Sequence, residues 1–219
     1  MIYLGLGSNL TSSFGDRFKN INLALELLIS GGIELIKKSS FYESNAYPNK
    51  SDPKFINLVV SVKTEFSLED LMKVLLHVES KLERRRLKKN EPRTCDIDIL
   101  DYNNEVSNFR TNNFEISVPH KNLIYRNFVL YPLAEISPKW KHPISKQLVT
   151  DLIEKLSEEE KKSILKIEKY WYNKLMLNQH DLIKKVKTYN KFLNPKTLSK
   201  AYNFALKAHK NQKRDSGDP

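Results

Sequence analysis

The spacing of the apolar residues changes several times along the first hundred residues, and this succession limits the possible folds more than any other feature. Continuous or alternating apolar residues predict strands at residues 1–7, 33–42 and 55–62, and around Asp96 and Asp98. Apolar residues at helical spacing predict helices at residues 14–30, 68–82, 130–136 and 148–156. The order β-α-β-β-α-β is that of a ferredoxin-like core, so we predict an α+β protein with extra short helices.

Charge divides the chain into two parts. Residues 1–159 carry 22 Lys and Arg against 21 Asp and Glu, whereas residues 160–219 carry 15 against 5, which is +10 of the total net charge of +11. We therefore predict a first domain at residues 1–157 and a basic, α-helical C-terminal extension at residues 158–219. Such an extension can bind nucleic acid or another acidic surface. A Lys-rich helical face exposed to solvent is the alternative that we favour.

The cysteine content and the hydropathy of the sequence indicate where in the cell the protein is expected to reside. Cys95 is the one cysteine, which excludes a disulfide framework within the chain and a zinc site built from several cysteines. No basic stretch followed by an apolar run begins the sequence, and no uncharged apolar stretch approaches the roughly 18 residues of a membrane-spanning helix. We therefore expect a soluble cytoplasmic protein without a membrane partner.

The most informative local pattern is a pair of aspartates in the fourth predicted strand, Asp96 and Asp98, called the acidic pair below. Side chains alternate between the two faces of a strand, so both carboxylates point to the same side. They repel each other unless a cation lies between them, and oxygen ligands favour Mg²⁺. A basic run at residues 84–89 and Arg93 precede this strand, and a metal site beside cations suits a nucleotide triphosphate. On the spacing alone, an exposed pair on a surface strand is an equally good interpretation.

Other polar residues interrupt the apolar pattern, and each has a structural as well as a functional interpretation. Asn57 lies within an apolar strand and would bind the edge of a heterocycle or be satisfied within the core. Glu79 would orient a base or a ribose, or form a surface salt bridge. His120 and Arg126 would bind phosphate groups, or be ordinary surface residues. Together with the acidic pair they favour a nucleotide site, and no serine or cysteine nucleophile with a histidine partner is evident.

Six short segments resemble, in order, those of the 6-hydroxymethyl-7,8-dihydropterin pyrophosphokinase family. The segments are GSNL at residues 7–10, SSFYES at 39–44, FIN at 55–57, PRTCDIDIL at 92–100, VPH at 118–120 and RNFVLYPLAEISP at 126–138. The resemblance covers residues 1 to about 157. It implies a folate-pathway enzyme that transfers pyrophosphate from ATP to the hydroxymethyl group of the reduced pterin, releases AMP and uses two Mg²⁺ ions. We expect a monomer whose partners are ATP and the pterin, without nucleic acid.

The matching positions suggest roles for individual residues. The resemblance implies catalytic roles for Arg84, Arg86, Arg93, Asp96 and Asp98, with the two aspartates as ligands of both metal ions. It implies contacts with the pterin for Ser44, Phe55, Asn57 and Phe128, with the two aromatic rings on either side of the pterin. It implies contacts with ATP for Glu79, Arg84, Arg93, His120 and Arg126.

The sequence departs from the family in the loop before the acidic pair. Asn90 and Glu91 stand where the family usually has Trp and Gly, and the loop is one residue shorter than in a common bacterial form. In the family this loop is the lid that closes over the substrates, so the departure concerns rate and affinity more than identity. Phe55 stands where Tyr is frequent, which keeps a ring for stacking and loses a hydroxyl.

The end of the extension resembles a second family. Residues 198–219 are similar to the start of the hydrolase domain of RelA/SpoT stringent-response enzymes, with Arg214 at a guanosine contact. The sequence stops before the histidine that binds metal in that family, so the resemblance implies a truncated remnant without (p)ppGpp hydrolysis. Chance similarity in a Lys- and Ala-rich helix is the alternative. The helical stripe of Leu198, Tyr202 and Leu206 would pack on the first domain or allow self-association.

Two rival functions fit parts of the pattern. RNA-recognition modules share the β-α-β-β-α-β order, but they need exposed aromatic residues where this chain has the acidic pair. A decayed enzyme kept for its extension is the other rival; the intact acidic pair argues against it, while the altered lid loop leaves it open. We also expect from the sequence that a chain ending near Leu156 folds and keeps the chemistry.

Overall fold

The structure is a computed structural model that describes residues 1–47, 49–84, 91–111 and 114–167. Arg86, Asn90 and the extension from residue 168 onward lie outside the described residues, so their predicted roles stay predictions. Within the described part of the chain, no helix combines the length and the apolar character needed to cross a membrane.

Strands and helices follow one another in the predicted order. The strands are β1 Ile2–Ser8, β2 Glu34–Lys38, β3 Phe41–Ser44, β4 Phe55–Lys63, β5 Asp96–Tyr102, β6 Ser107–Arg110, β7 Glu115–Val118 and β8 Leu165–Ile167. The helices are α1 Arg17–Ser30, α2 Leu68–Lys81, α3 Asn127–Ile136, α4 Val149–Glu154 and α5 Glu158–Lys162, and a short 3-10 turn covers Leu123–Tyr125. The ferredoxin-like α+β class is confirmed.

The central sheet is antiparallel and determines where a site can form. Its strand order is β5-β1-β4-β3-β8, and β2 also pairs with β4. The register places Gly7 of β1 opposite Asn57 of β4 on one side and Asp96 of β5 on the other. Helices α1 and α2 pack against the sheet, and α3 and α4 bury a separate apolar cluster over Tyr3 and Leu100. The strands that carry the predicted site residues are therefore neighbours.

One predicted strand, at residues 33–42, is divided into β2 and β3. Ser39 lies at the break, where its backbone N–H donates to the carbonyl of Val59 and its hydroxyl accepts from the N–H of Val59, both over 3.0 Å. Because the hydroxyl replaces a backbone carbonyl as acceptor, the chain bends without leaving the backbone of β4 unpaired. Both pieces still pair with β4, so the topology is unchanged.

The chain beyond β5 contains elements that the sequence did not predict. A hairpin of β6 and β7 follows β5. Helix α5 begins with a capping box between Ser157 and Glu160, and β8 joins the sheet beside β3. The compact unit built around the sheet covers residues 1–168, which extends beyond the boundary predicted at residue 157.

A partly buried amine at the end of β2 makes stability depend on pH. Burial lowers the pKa of Lys38 from 10.5 to about 8. Between these two values the unfolded chain binds more protons than the folded one, so stability rises with pH. We expect the free energy of unfolding to rise by roughly 1–3 kcal/mol between pH 7 and pH 10, and to rise less in Lys38→Met. Urea titrations at both pH values measure this; an identical pH dependence in the two proteins would contradict it.

Candidate active site

A cavity of about 940 Å³ opens on the sheet beside the first turn of α3. Its floor includes Gly7, whose register neighbours are Asn57 and Asp96. A Cβ at Gly7 would lie 3.2 Å from Oδ1 of Asn57 and 3.6 Å from the ring of Phe55. Because glycine has no side chain, the floor stays open between these residues, and a flat ligand can approach the backbone.

The acidic pair lines this cavity and is paired with three arginines, Arg84, Arg93 and Arg126, called the site arginines below. Asp96 Oδ1 forms an ion pair with Arg84 Nη1 over 2.6 Å, and its Oδ2 accepts a hydrogen bond from Arg93 Nη1 over 2.8 Å. Asp98 Oδ2 accepts from Arg126 Nη1 over 2.9 Å. The two carboxylates therefore belong to a compact charged cluster and are not an isolated surface pair.

Glu79 supports this cluster from behind and does not line the cavity. Its side chain is buried, with the residue 2% exposed. Oε1 accepts from the backbone N–H of Ile97 over 2.8 Å and forms an ion pair with Arg84. Helix α2 thereby fixes both β5 and Arg84. In this arrangement Glu79 holds a site arginine in place, and its predicted contact with the base or ribose of ATP stays a prediction.

His120 approaches the acidic pair from the segment after β7, although it does not line the cavity. Its Nδ1 accepts from the backbone N–H of Asn122 over 3.1 Å, so the proton of the neutral ring lies on Nε2, which is 3.9 Å from Asp98 Oδ2. Burial lowers the pKa of His120, so the ring is neutral at pH 7. Nε2 can therefore donate a hydrogen bond to an oxygen of a nucleotide.

The residues predicted to bind the pterin line the same cavity. Asn57 is only 5% exposed, and its Nδ2 donates to Ser44 Oγ over 3.0 Å. This bond joins β4 to the end of β3 and fixes the plane of the amide. Phe55 and Phe128 come from β4 and α3 and contribute their rings to the cavity wall. A buried amide beside two rings can recognise a flat heterocycle with polar edges.

The two ends of the cavity are connected through cation–π contacts. The guanidinium group of Arg93 lies 5.6 Å from the ring centroid of Phe55, and that of Arg126 lies 5.6 Å from the ring centroid of Phe128. Both arginines also bond to the acidic pair. Each ring is therefore next to an arginine of the charged cluster. A ligand that stacks on the rings would lie close to a second ligand bound at the carboxylates.

Asn9 is a site residue whose role the sequence analysis did not identify. It is 2% exposed, its Oδ1 accepts from the N–H of Arg93 over 2.6 Å, and its own N–H donates to the carbonyl of Arg93 over 3.0 Å. Its Nδ2 donates to the carbonyl of Pro53 over 3.0 Å. Asn9 thus joins the segments that carry Arg93 and Phe55. The GSNL segment was the signal that could have pointed to it.

Part of the cavity wall comes from residues that the sequence analysis assigned to the extension. Glu159, Glu160 and Ser163 line the cavity, together with Ser157, the last residue of the predicted first domain. Lys50 Nζ lies 2.7 Å from Glu159 Oε1 and connects this wall to the loop before β4. Both side chains of that pair are largely exposed, so the pair itself contributes little to stability. Residues 157–163 nevertheless belong to the surroundings of the site.

The available ligands suit Mg²⁺ bound together with phosphate. Among the described residues, no three His, Cys, Asp or Glu side chains come together as a complete metal site. Mg²⁺ usually keeps several waters and takes one or two carboxylates together with the phosphates of a substrate, and the acidic pair offers two. Burial raises the pKa of the Cys95 thiol, so this residue stays protonated and is a poor nucleophile. These groups suit direct transfer between substrates.

The fold and the site fit a kinase-type transferase: a ferredoxin-like sheet carries a cluster of carboxylates and arginines beside a buried amide and two aromatic residues in one cavity. The model of the family described as 7,8-dihydro-6-hydroxymethylpterin-pyrophosphokinase matches residues 3–138, which is more than half of the chain. The chain belongs to this family.

Curated relatives agree with this membership. The chain is 36% identical over 154 residues to the 2-amino-4-hydroxy-6-hydroxymethyldihydropteridine pyrophosphokinase of Synechocystis, a match that covers 70% of this chain and 74% of that protein. It is 39% identical over 143 residues to the protein of the same name from Aquifex aeolicus, covering 65% and 84%. The predicted activity is thereby confirmed: the enzyme transfers pyrophosphate from ATP to 6-hydroxymethyl-7,8-dihydropterin in folate biosynthesis.

A solved structure supports the fold. The chain aligns with the HPPK-DHPS protein of Plasmodium falciparum with a TM-score of 0.59 at 16% sequence identity, covering 76% of this chain and 46% of that one. At this identity the likeness concerns the fold alone, and the chain spans less than half of that structure. The matched residues 3–138 do not include the extension, whose RelA/SpoT resemblance stays a prediction.

Proposed function

We propose that the cavity is the active site of this transfer, with the phosphates of ATP at the acidic pair and the pterin at Asn57, Phe55 and Phe128. The observation that supports this most is the composition of a single cavity. One part offers carboxylates and arginines, which suit a metal-bound polyphosphate. The other offers a buried amide and two rings, which suit a pterin. The hydroxymethyl group of the pterin then faces the phosphates.

Ligand binding exchanges the partners of the charged groups. In the structure, the site arginines form ion pairs with the acidic pair. Asp96 and Asp98 would hold the Mg²⁺ ions, two according to the family resemblance, and the metal would supply neutralisation of the charge on the transferred group. The site arginines then turn to phosphate oxygens, where a guanidinium group can donate two hydrogen bonds. Glu79 keeps Arg84 beside the site during this exchange, and Arg86 is proposed as a further phosphate-binding arginine from the lid loop.

The chemical step needs no nucleophile from the protein. The hydroxymethyl oxygen of the pterin attacks the β-phosphorus of ATP, and the bond from that phosphorus to the oxygen bridging it to the α-phosphorus breaks. AMP leaves with the bridging oxygen, and the proton of the hydroxyl group passes to water or to a phosphate oxygen. The residues contribute by holding both substrates in line and by stabilising negative charge. The neutral ring of His120 donates from Nε2 to ATP.

We further propose that the enzyme is a cytoplasmic monomer. One chain supplies both halves of the cavity. Its cysteine, Cys95, is a buried free thiol, which suits a reducing compartment. Sedimentation of the full chain at several concentrations tests this proposal; a dimer would contradict it and would indicate association through the extension.

The assignment of the pterin end is tested by comparing the affinities of the two substrates. We expect Asn57→Ala and Phe128→Ala to raise the dissociation constant of the pterin by about tenfold or more, because each removes a direct contact. The dissociation constant of ATP should change less than about twofold in Asn57→Ala. Fluorescence titration of the pterin and calorimetric titration of a non-hydrolysable ATP analogue measure these values. Asn108→Ala, an exposed change on β6, is the matched control.

An unchanged affinity for the pterin in both variants would contradict the assignment of the pterin end. An equal loss of affinity for both ligands in Asn57→Ala would also contradict it, because the amide would then act on the whole cavity.

The altered lid loop leads to a prediction about ATP. Glu91 adds negative charge near a polyanion, and Asn90 lacks the ring that the family has at this position. We expect the double substitution Asn90→Trp and Glu91→Gly to lower the KM for ATP by about three- to tenfold. Initial rates at saturating pterin measure this. An unchanged or raised KM would mean that the lid of this chain holds ATP in another way.

A further inference from the structure

Asn127, the first residue of α3, connects the site to the far end of the described chain. It lies between Arg126 and Phe128 and is 8% exposed. Its Nδ2 donates to the backbone carbonyl of Glu160 over 2.6 Å and to Ser163 Oγ over 2.9 Å. The hydroxyl of Ser163 in turn donates to the carbonyl of Glu160 over 3.0 Å. A buried amide with both hydrogens used is a specific connection.

This connection acts at the start of α3, which has no side-chain cap. The N-cap of α3 is Arg126, whose side chain makes no capping hydrogen bond and instead binds Asp98. The direction in which the helix begins is therefore set by the contacts of its first residue. Because Phe128 follows directly, a change in the start of α3 moves its ring relative to the cavity.

The segment that holds Asn127 also supports the other side of the pterin pocket. We call residues 157–167 the brace. Its β8 pairs with Phe41, Tyr42 and Glu43 of β3, the strand that ends at Ser44. A second contact joins the same elements, because Lys166 Nζ lies 3.3 Å from Glu135 of α3, and Tyr42 Oη donates to Glu135 over 2.9 Å. The brace thus ties α3 to β3, the elements that carry Phe128 and Ser44.

We propose that Asn127 is a positioning residue for the pterin, and that the brace acts through it. The brace lies outside residues 3–138, the part of the chain that matches the family model. It fixes the first turn of α3 against β3 and so sets the distance between the ring of Phe128 and the polar edge formed by Ser44 and Asn57. This inference rests on the proposed function, because it concerns the same pterin site.

The proposal predicts that the two substrates respond differently. The ion pair between Arg126 and Asp98 does not involve any residue of the brace. We therefore expect changes in the brace to affect ATP binding less than pterin binding. Asn127→Asp preserves the shape of the side chain but removes the donor and faces the carbonyl of Glu160 with a negative charge. We expect it to raise the KM for the pterin by about tenfold and the KM for ATP by less than about threefold.

Ser163 offers a second test with a conservative rescue. Ser163→Ala leaves the bond from Asn127 to the carbonyl of Glu160, so we expect a smaller rise in the pterin KM, about threefold. Ser163→Thr keeps the hydroxyl and should restore a value near that of the wild type. Asn108→Asp, which changes the same atoms on exposed β6, is the matched control and should leave both KM values unchanged.

The experiment measures initial rates of AMP release with each substrate varied in turn, together with the melting temperature of each variant. The proposal is supported if Asn127→Asp changes the pterin KM selectively and Ser163→Thr, unlike Ser163→Ala, behaves as wild type. It is overturned if Asn127→Asp matches Asn108→Asp, or if both KM values rise equally with a lower melting temperature. Failure of the wild-type enzyme to release AMP with the pterin would instead count against the proposed function.

Discussion

Asp98→Asn is expected to lower the turnover number by at least about 100-fold, because one of the two carboxylates proposed to hold Mg²⁺ loses its charge. The amide has the same shape and can still accept a hydrogen bond from Arg126, so the fold should be preserved. Asp96→Ala is expected to be at least as damaging. Asp96 forms ion pairs with both Arg84 and Arg93, and its removal leaves these two guanidinium groups without their shared carboxylate.

Release of AMP over a range of Mg²⁺ concentrations measures the effect of these substitutions. Asp151→Asn, an exposed substitution in α4, removes the same charge from a residue that takes no part in the described contacts of the acidic pair, and it should keep wild-type activity. Near-normal, Mg²⁺-dependent turnover of Asp98→Asn would show that the metal ions are held elsewhere.

A chain that ends at Leu156 is expected to lose activity by more than about 100-fold and to melt about 10 °C lower, whereas a chain that ends at Glu168 keeps both properties. The shorter chain lacks the brace, so β3 loses its pairing with β8 and the buried amide of Asn127 loses both acceptors. An unsatisfied buried polar group and an open sheet edge each cost stability and favour aggregation. The sequence alone had suggested that the chain ending near Leu156 would remain active.

Parallel thermal melts and activity assays of the two shortened chains distinguish these expectations. The chain that ends at Glu168 is the matched control, because it removes residues 169–219 and leaves the brace. Full activity of the chain ending at Leu156 would support the domain boundary predicted from the sequence at residue 157, and it would show that the brace is not needed for activity. Loss of activity in both shortened chains would assign a structural role to the extension itself.

The elements of the core were predictable because local pattern and tertiary structure agree there. The alternation in β4 and the apolar stripe of α2 give the same periodicity in the sequence as in the folded sheet and helix. The acidic pair was predictable as well, since two carboxylates at alternate positions of a strand must share a face. The basic residues Arg84 and Arg93 were expected beside this pair from their position just before β5. The contact between Arg126 and Asp98 joins residues 28 apart in the chain and has no local sequence signal.

The remaining features depend on contacts that leave no periodic signal. The break at Ser39 results from one hydroxyl that replaces a backbone acceptor. Strand β8 is only three residues long and lies in a Lys-rich stretch, so the sequence has no strand pattern there. It forms because the edge of β3 offers backbone groups with which it can pair. Glu79 was predicted at ATP, whereas its described partners are Ile97 and Arg84, because burial depends on how α2 packs against β5.

Product analysis of a single reaction tests the central claim most directly. The wild-type enzyme is incubated with ATP, Mg²⁺ and 6-hydroxymethyl-7,8-dihydropterin, and the phosphorus-containing products are identified by ³¹P NMR. Our account predicts AMP and the pterin diphosphate in equal amounts, with no ADP, and no consumption of ATP when the pterin is omitted. Formation of ADP with a pterin monophosphate, or consumption of ATP that does not depend on the pterin, would contradict it.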